Sequence, residues 1–325
     1  MKALICETFG PYNTHKVREV DPPELLKGQI RVSIRAAGVN FPDILIVEGK
    51  YQHKPPFPFI PGAECAGVVS EIGEGVEGFA LGDRVFFGIP NGAFAEEAVV
   101  DAARVSHLPE TMSFEEASAI NLVYGTSYHA LKDRAELKPG ETVFVLGAAG
   151  GVGLAAVELA KAMGATVIAG ASSAEKLAVA REHGADLCVN YAEEDIKEKV
   201  RELSGGGVDV VYDPVGDKLA EPSFRALGWE GRYLVVGFAG GEIPRLPLNL
   251  ALLKSADIRG VFWGQWTARN PEKHRKNTQE FLHLFTEGKI RPRISASYRL
   301  EDFVKAYDDI ANRRAMGKVV LTMGD

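Results

Sequence analysis

Residues Thr142–Gly153 read TVFVLGAAGGVG, and their setting constrains the fold more than any other stretch of the chain. A short apolar run, Val143–Leu146, feeds a turn of small residues, Ala148-x-Gly150-x-x-Gly153, and a helical pattern, Leu154–Gly164, follows at once. Strand, tight turn and helix N-terminus in that order aim backbone N–H groups at a pyrophosphate. A glycine-rich turn alone is weak evidence. Here further strand and helix units follow it, and that context predicts a dinucleotide site in a doubly wound parallel sheet.

The later strands are expected at Thr166–Ala169, Leu187–Val189, Val208–Tyr212 and Tyr233–Gly237. Between them Ala174–Glu182, Asp195–Leu203 and Lys218–Leu227 carry helical patterns. The first part of the chain has a different texture. Ile30–Ala36 alternates apolar and polar residues, and Gly67–Ile72, Arg84–Phe87 and Phe94–Val100 are similar short runs cut by glycine and proline. Such runs predict a compact, partly open β-barrel. Ser113 and Glu116 form a capping-box pattern ahead of the helical stretch Phe114–Ile120.

After Trp266 the alternation stops: a long amphipathic helix over Pro271–Gly288 precedes a strand near Ile294–Tyr298, a helix over Leu300–Arg313 and a last strand over Gly317–Thr322. This tail is expected to return to the first domain. The fold class is therefore α/β, with a β-barrel domain over 1–122 completed by 267–325, and a dinucleotide-binding domain over 123–266.

Composition narrows the function. A net charge of −7 argues against a broad nucleic-acid-binding face. Three scattered cysteines, Cys6, Cys65 and Cys188, form no CxxC pair, which suits a reducing cytoplasm. No run approaches the roughly 18 apolar residues that span a bilayer, so a membrane role is not expected.

The cofactor is expected to lie on Ala149, Gly150, Gly151, Val152 and Gly153. Its identity depends on the end of the next strand, where Thr166–Ala169 runs into Gly170, Ala171, Ser172 and Ser173. A carboxylate there would hydrogen-bond a ribose 2′-OH and repel a 2′-phosphate. None is present; Ser172 and Ser173 offer donors, and Lys176 a charge suited to phosphate. The same serines can equally cap a helix. These residues favour NADPH. Gly237-Phe238-Ala239 follows a strand and would sit at the sheet's carboxyl edge, where ligands bind in such folds.

Several landmarks resemble the medium-chain dehydrogenase/reductase superfamily: Pro61–Val69 (PGAECAGVV), Gly82–Val85 (GDRV), the turn at 148–153 and Gly317–Leu321 (GKVVL). The order of domains is that of a GroES-like barrel followed by a Rossmann domain, and the resemblance runs essentially end to end. Within the superfamily the chain resembles the zinc-free quinone oxidoreductases, the stretch Trp229–Lys254 included. Zinc alcohol dehydrogenases carry a Gly-x-Cys zinc ligand where this chain has Gly38-Val39-Asn40, and a Gly-His-Glu ligand where it has Gly62-Ala63-Glu64. Phe87–Val105 holds none of the four cysteines of their structural lobe. Catalytic zinc needs about three protein ligands, and the resemblance implies none here.

Without a Lewis acid, hydride transfer requires an acceptor that is already electrophilic, such as a quinone or an α,β-unsaturated carbonyl. The segment GVNFPDILIVEGKY resembles the family's Asn-x-x-Asp…Tyr stretch, which implies site roles for Asn40, Asp43 and Tyr51. Asn40 can donate to a carbonyl, Tyr51 can donate or relay a proton, and Asp43 is expected to orient its neighbours. By resemblance, Tyr124, Thr126, Phe262, Trp263 and Lys318 are further cofactor contacts. The expected activity is reduction of quinones or enones. Reduction of enoyl thioesters or 2-alkenals, and a non-catalytic NADPH-binding role, remain alternatives. The family implies a homodimer paired through edge strands, and the run Ile258–Trp266 could form that edge.

Overall fold

Gln29–Val39 organises the first unit because its alternation lets one face bury Ile30, Val32 and Ile34 while Arg31 points outward to Glu71 and Glu97. The computed structural model describes residues 1–324. Its chain divides into two units, Met1–Leu122 together with the stretch from Pro292, and Val123–Arg291.

In the first unit Gln29–Val39 pairs antiparallel with Glu64–Ile72, Glu97–Asp101 and Lys318–Thr322. Arg84–Gly88 and Val105–His107 extend one side and Ile294–Arg299 the other. Register shifts against Glu64–Ile72 fall at Arg31/Val32 and Ile34/Ala36, where an extra residue bends a strand and curls its sheet. The expected capping box forms at Ser113 and Glu116, each side chain taking the other's backbone N–H at 3.1 and 3.0 Å, and it starts a helix over Phe114–Ser118.

The second unit holds six parallel strands in the order Leu187–Asn190, Thr166–Ala171, Thr142–Leu146, Val208–Asp213, Leu227–Val235 and Asp257–Gly260. Strand order reverses between Thr142–Leu146 and Val208–Asp213, so the glycine turn opens at the crevice where such sheets bind ligands. Phe144, Leu146, Ile168, Val208 and Val211 are wholly buried there, as parallel strands covered on both faces require.

Two expectations are corrected. The strand expected at Tyr233–Gly237 begins at Leu227 and ends at Val235, because Leu227 pairs with Val208 ahead of an irregularity at the left-handed Glu230. The tail expected to return from 267 leaves the second unit only after Arg291. The helix Pro271–Thr286 is tied to that unit: Asn277 donates to Asp133 at 2.8 Å, Tyr128 donates to Glu280 at 2.9 Å, and the Phe281 ring lies edge-on to Tyr128. No helix among the described residues is long and apolar enough to cross a membrane.

Candidate active site

In the second unit the glycine turn is built from the backbone outward. Gly147 takes a left-handed φ of +59°, and the helix Gly151–Ala162 starts from Gly150, whose N–H bonds back to the Gly147 carbonyl at 2.9 Å. A Cβ at Gly153 would lie 2.2 Å from the Gly147 carbonyl oxygen, so only glycine lets the helix sit this close to the turn. The helix opens on Gly151, Val152 and Gly153, whose N–H groups belong to a first turn with no helical acceptors. Ala148 and Ala149 are buried beneath. This cradle of small residues fits a pyrophosphate.

Sequence reasoning missed the residue that holds this turn. Ser127 donates to the Val152 carbonyl at 3.0 Å, so its 2.8 Å contact with Tyr212 makes the buried tyrosine the donor to the serine oxygen. Nothing local marks Ser127, since its partners lie 25 and 85 residues away.

At the strand end beside the turn, Ala171 is buried and Ser172 exposed, while Ser173 accepts the Lys176 N–H at 3.3 Å and caps the helix Ala174–Glu182. No carboxylate occupies 170–173, and Glu175 is the acidic residue of the helix's first turn. Tyr191, unanticipated, joins this corner through its N–H on the Ala171 carbonyl at 3.1 Å. Across the reversal point Asp213 accepts the N–H groups of Val215 and Gly216, both at 2.8 Å, and the Tyr233 hydroxyl, which fixes that strand end despite burial that raises its carboxyl above the usual range. Gly237, Phe238 and Ala239 fold over the same corner, with Ala239 N–H on the Pro214 carbonyl at 3.1 Å and the Phe238 ring against Gly216.

Of the remaining expected cofactor contacts in this unit, Thr126 is half-buried, Phe262 is exposed, and Trp263 packs flush on Gly125 with its edge to His274. Tyr124 is corrected to a strut of the core. It is 3% exposed and donates at 2.5 Å to Glu158, which also meets His183 at 2.5 Å and the Arg291 N–H at 3.0 Å.

The first unit carries a separate polar cluster. The register Val319↔Val39 sets Lys318 beside the end of the central strand, where Asn40 caps the helix Phe41–Val47. The Lys318 ammonium donates to Asn40 Oδ1 at 2.6 Å, Glu64 Oε1 at 2.7 Å and the Val39 carbonyl at 3.1 Å. Asn40 Nδ2 donates to Glu64 Oε1 at 2.8 Å and to the Gly38 carbonyl at 3.3 Å, while Glu64 Oε2 takes the Leu122 N–H at 2.8 Å. Asp43 Oδ2 accepts the Asn40 N–H at 2.8 Å. A Cβ at Gly38 would lie 2.7 Å from Glu64 Oε1 and 2.3 Å from the Ser118 carbonyl, so a bare backbone admits the buried carboxylate.

These bonds change two assignments. Lys318, expected on the cofactor, is 4% exposed and spends all three N–H bonds inside this cluster. Asn40, expected to donate to a carbonyl, has both amide protons and its oxygen engaged within the protein, and so organises the cluster. Asp43 accepts the Asn40 N–H and so ties the cap of the helix it belongs to. Tyr51 packs half-buried against the core of the unit, and burial followed by the Asp43 charge raises its hydroxyl above the usual range. Glu64, the acceptor common to Lys318, Asn40 and Leu122, is the central residue that the sequence did not flag as functional.

The donor set does not fit zinc. Asn40 and Ala63 offer no soft ligand, and the Glu64 oxygen nearest Asn40 already holds an ammonium. Among the described residues no three histidine, cysteine, aspartate or glutamate side chains group as a metal would require.

Residues 151–285 match the family model described as zinc-binding dehydrogenase, and 26–110 the alcohol dehydrogenase GroES-like domain. Quinone oxidoreductase-like protein 2 of Bos taurus is 40% identical over 94% of this chain and 88% of its own. The structure of Escherichia coli quinone oxidoreductase complexed with NADPH is 31% identical, with a TM-score of 0.91 over 99% of this chain and 100% of that one. A structure described as an NAD-dependent alcohol dehydrogenase is also 31% identical, with a TM-score of 0.90 over 100% of both chains.

Proposed function

The chain belongs to the medium-chain dehydrogenase/reductase superfamily, among the quinone oxidoreductase-like oxidoreductases, and from that premise we propose that it reduces quinones or α,β-unsaturated carbonyls with NADPH and without zinc. One observation carries the choice of cofactor: the cradle at Gly147–Gly153 adjoins a strand end, Gly170–Ser173, with no carboxylate. Relatives of this fold are named for NADPH and for NAD alike, so the preference rests on these residues. Ala171 leaves room and no repulsion for a 2′-phosphate, the hydroxyls of Ser172 and Ser173 donate to it, and Lys176 supplies charge.

When bound, NADPH supplies a hydride to the electrophilic carbon of the acceptor, leaving negative charge on the acceptor's oxygen. The chain's own part is to bind, orient and donate. Gly150–Gly153 hold the pyrophosphate, and Ser127 keeps their helix in register. Thr126, Gly237, Phe238, Ala239, Phe262 and Trp263 are proposed to line the rest of the cofactor's path. Tyr51 is proposed as the hydrogen-bond donor to the charged oxygen, held by a barrel whose Lys318–Glu64–Asn40 cluster fixes the neighbouring backbone. A substrate whose carbonyl is already conjugated needs no metal to accept the hydride.

Steady-state assays with NADPH and 1,4-benzoquinone, 9,10-phenanthrenequinone, 2-alkenals and acryloyl-CoA test the activity. Turnover of one class identifies the acceptor. NADPH fluorescence that rises on binding and never decays with any acceptor would instead fit a non-catalytic NADPH-binding protein.

We also propose a homodimer. Among the described residues Asp257–Gly260 pairs on one side only, with Leu227–Val235; Ile258 within it is exposed, as are Leu248, Leu252 and Phe262 in the flanking segments.

A further inference from the structure

The first unit buries two carboxyl groups with a single ammonium. Glu64 is 0% exposed, Asp43 1% and Lys318 4%. With all three ionised the cluster would hold an uncompensated negative charge away from water, which is costly. Its proton count therefore matters, and the partners decide where a proton sits. Glu64 meets the ammonium directly and also takes the Asn40 amide and the Leu122 N–H, three donors to its two oxygens. Asp43 has one donor, the Asn40 N–H, and no cation in contact among the described residues.

The groups facing Asp43 are few. Lys318 comes from the last strand, Glu64 from the strand beside the centre, and Tyr307 from the helix Phe303–Ala311, with Tyr51 following the helix that holds Asp43 in its first turn. The Tyr307 hydroxyl is fully buried with no hydrogen-bond partner among the described residues. Burial lifts Asp43 to about 7, against the pull of the Asn40 N–H and Lys318. The Asp43 charge in turn raises both tyrosine hydroxyls, after burial itself.

We propose that Asp43 is a positioning acid of the reductase site, keeping its proton during turnover so that no unpaired buried negative charge opposes the one that hydride transfer places on the acceptor. This rests on the reductase function proposed above. In its neutral form Asp43 still accepts the Asn40 N–H, and Tyr51 remains an unopposed donor. Once ionised, it places a second negative charge beside Tyr51 just where the acceptor's oxygen becomes negative.

The sign for stability follows. The folded protein holds this proton more tightly than the unfolded chain, whose aspartate titrates near the ordinary 3.8. Asp43 thus favours the folded state at low pH, and that advantage disappears as pH rises from about 4 to about 7.

The test compares the full-length protein with Asp43→Asn, which keeps an acceptor for the Asn40 N–H and cannot ionise. For the wild type, kcat/KM with NADPH and the best acceptor is expected to fall about tenfold per pH unit above an ionisation near 7. In Asp43→Asn that limb is expected to vanish. The same limb in the variant would overturn the proposal. Infrared difference spectroscopy gives a readout independent of activity: a buried protonated-carboxyl band present in the wild type at about pH 6, where exposed carboxylates are ionised, lost as pH rises past about 7, and missing from Asp43→Asn, which separates it from any band of the buried Asp213. Absence of that band at pH 6 would also overturn the proposal. A wild type that shows the band, with the band missing from Asp43→Asn, but that reduces no acceptor would sink the reductase function, leaving the proton on Asp43 established.

Discussion

At position 171 a buried methyl group ends the strand proposed to face the cofactor's ribose, where a carboxylate would select the unphosphorylated form. Changing Ala171→Asp is expected to move the ratio of kcat/KM for NADPH over NADH toward NADH by at least about tenfold, or 1.4 kcal/mol. An unchanged ratio would remove 170–173 from the ribose site. Lys318 makes the opposite kind of prediction. Lys318→Met leaves Glu64 buried and charged without its cation, and urea unfolding should show a loss of about 3–5 kcal/mol. Adding Glu64→Gln should restore part of it; a loss that the second change leaves untouched would contradict the pairing. Asn40 and Asp43 were legible through the resemblance of GVNFPDILIVEGKY to a family stretch, three residues apart in one segment. Their partners were not: Lys318 lies 278 residues from Asn40 and 254 from Glu64, and only the register of the last strand brings them together. Hence Lys318, a cofactor contact by resemblance, is turned inward by the strand pairing instead.

At the level of elements, the strand, turn and helix of the cofactor cradle were legible because each part is a local rule: a buried apolar run, a left-handed glycine and a helix that cannot carry a Cβ at its contact. Gly153→Ala drives a methyl carbon to 2.2 Å from the Gly147 carbonyl. The helix must lift, and isothermal titration with NADPH should show binding at least about tenfold weaker, equivalent to 1.4 kcal/mol. Ser127→Ala leaves the Tyr212 hydroxyl buried without its acceptor, at about 1–3 kcal/mol, and frees the first turn of the same helix. Both the melting temperature and the affinity for NADPH should fall; wild-type values for each would show that Ser127 does not anchor the cradle. The strand at Leu227–Val235 was misplaced for an equally physical reason. Gly228 and Gly231 interrupt the apolar pattern ahead of Tyr233, yet the neighbouring Val208 recruits Leu227 into the sheet before them.

At the scale of the whole molecule, the fold class was readable from texture alone, since short alternating strands gave way to parallel-sheet units near residue 120. The division of the tail was not. The pattern of Pro271–Thr286 announces an amphipathic helix without saying which core it covers, and polar bonds to Asp133 and Lys132 decide that. The proposed assembly is testable at this scale: light scattering should give a dimer, and Ile258→Lys, which charges the open strand edge, should yield monomer. Metal analysis should find no stoichiometric zinc, and a chelator should leave turnover intact. The most direct measurement of the central claim is consumption of NADPH and of NADH by the purified protein in the presence of quinones and enones, with the chelator present. Oxidation of NADPH that depends on the acceptor, with kcat/KM well above that for NADH, is the expected result. NADPH left unoxidised by every acceptor, or turnover that stops when zinc is removed, would contradict it.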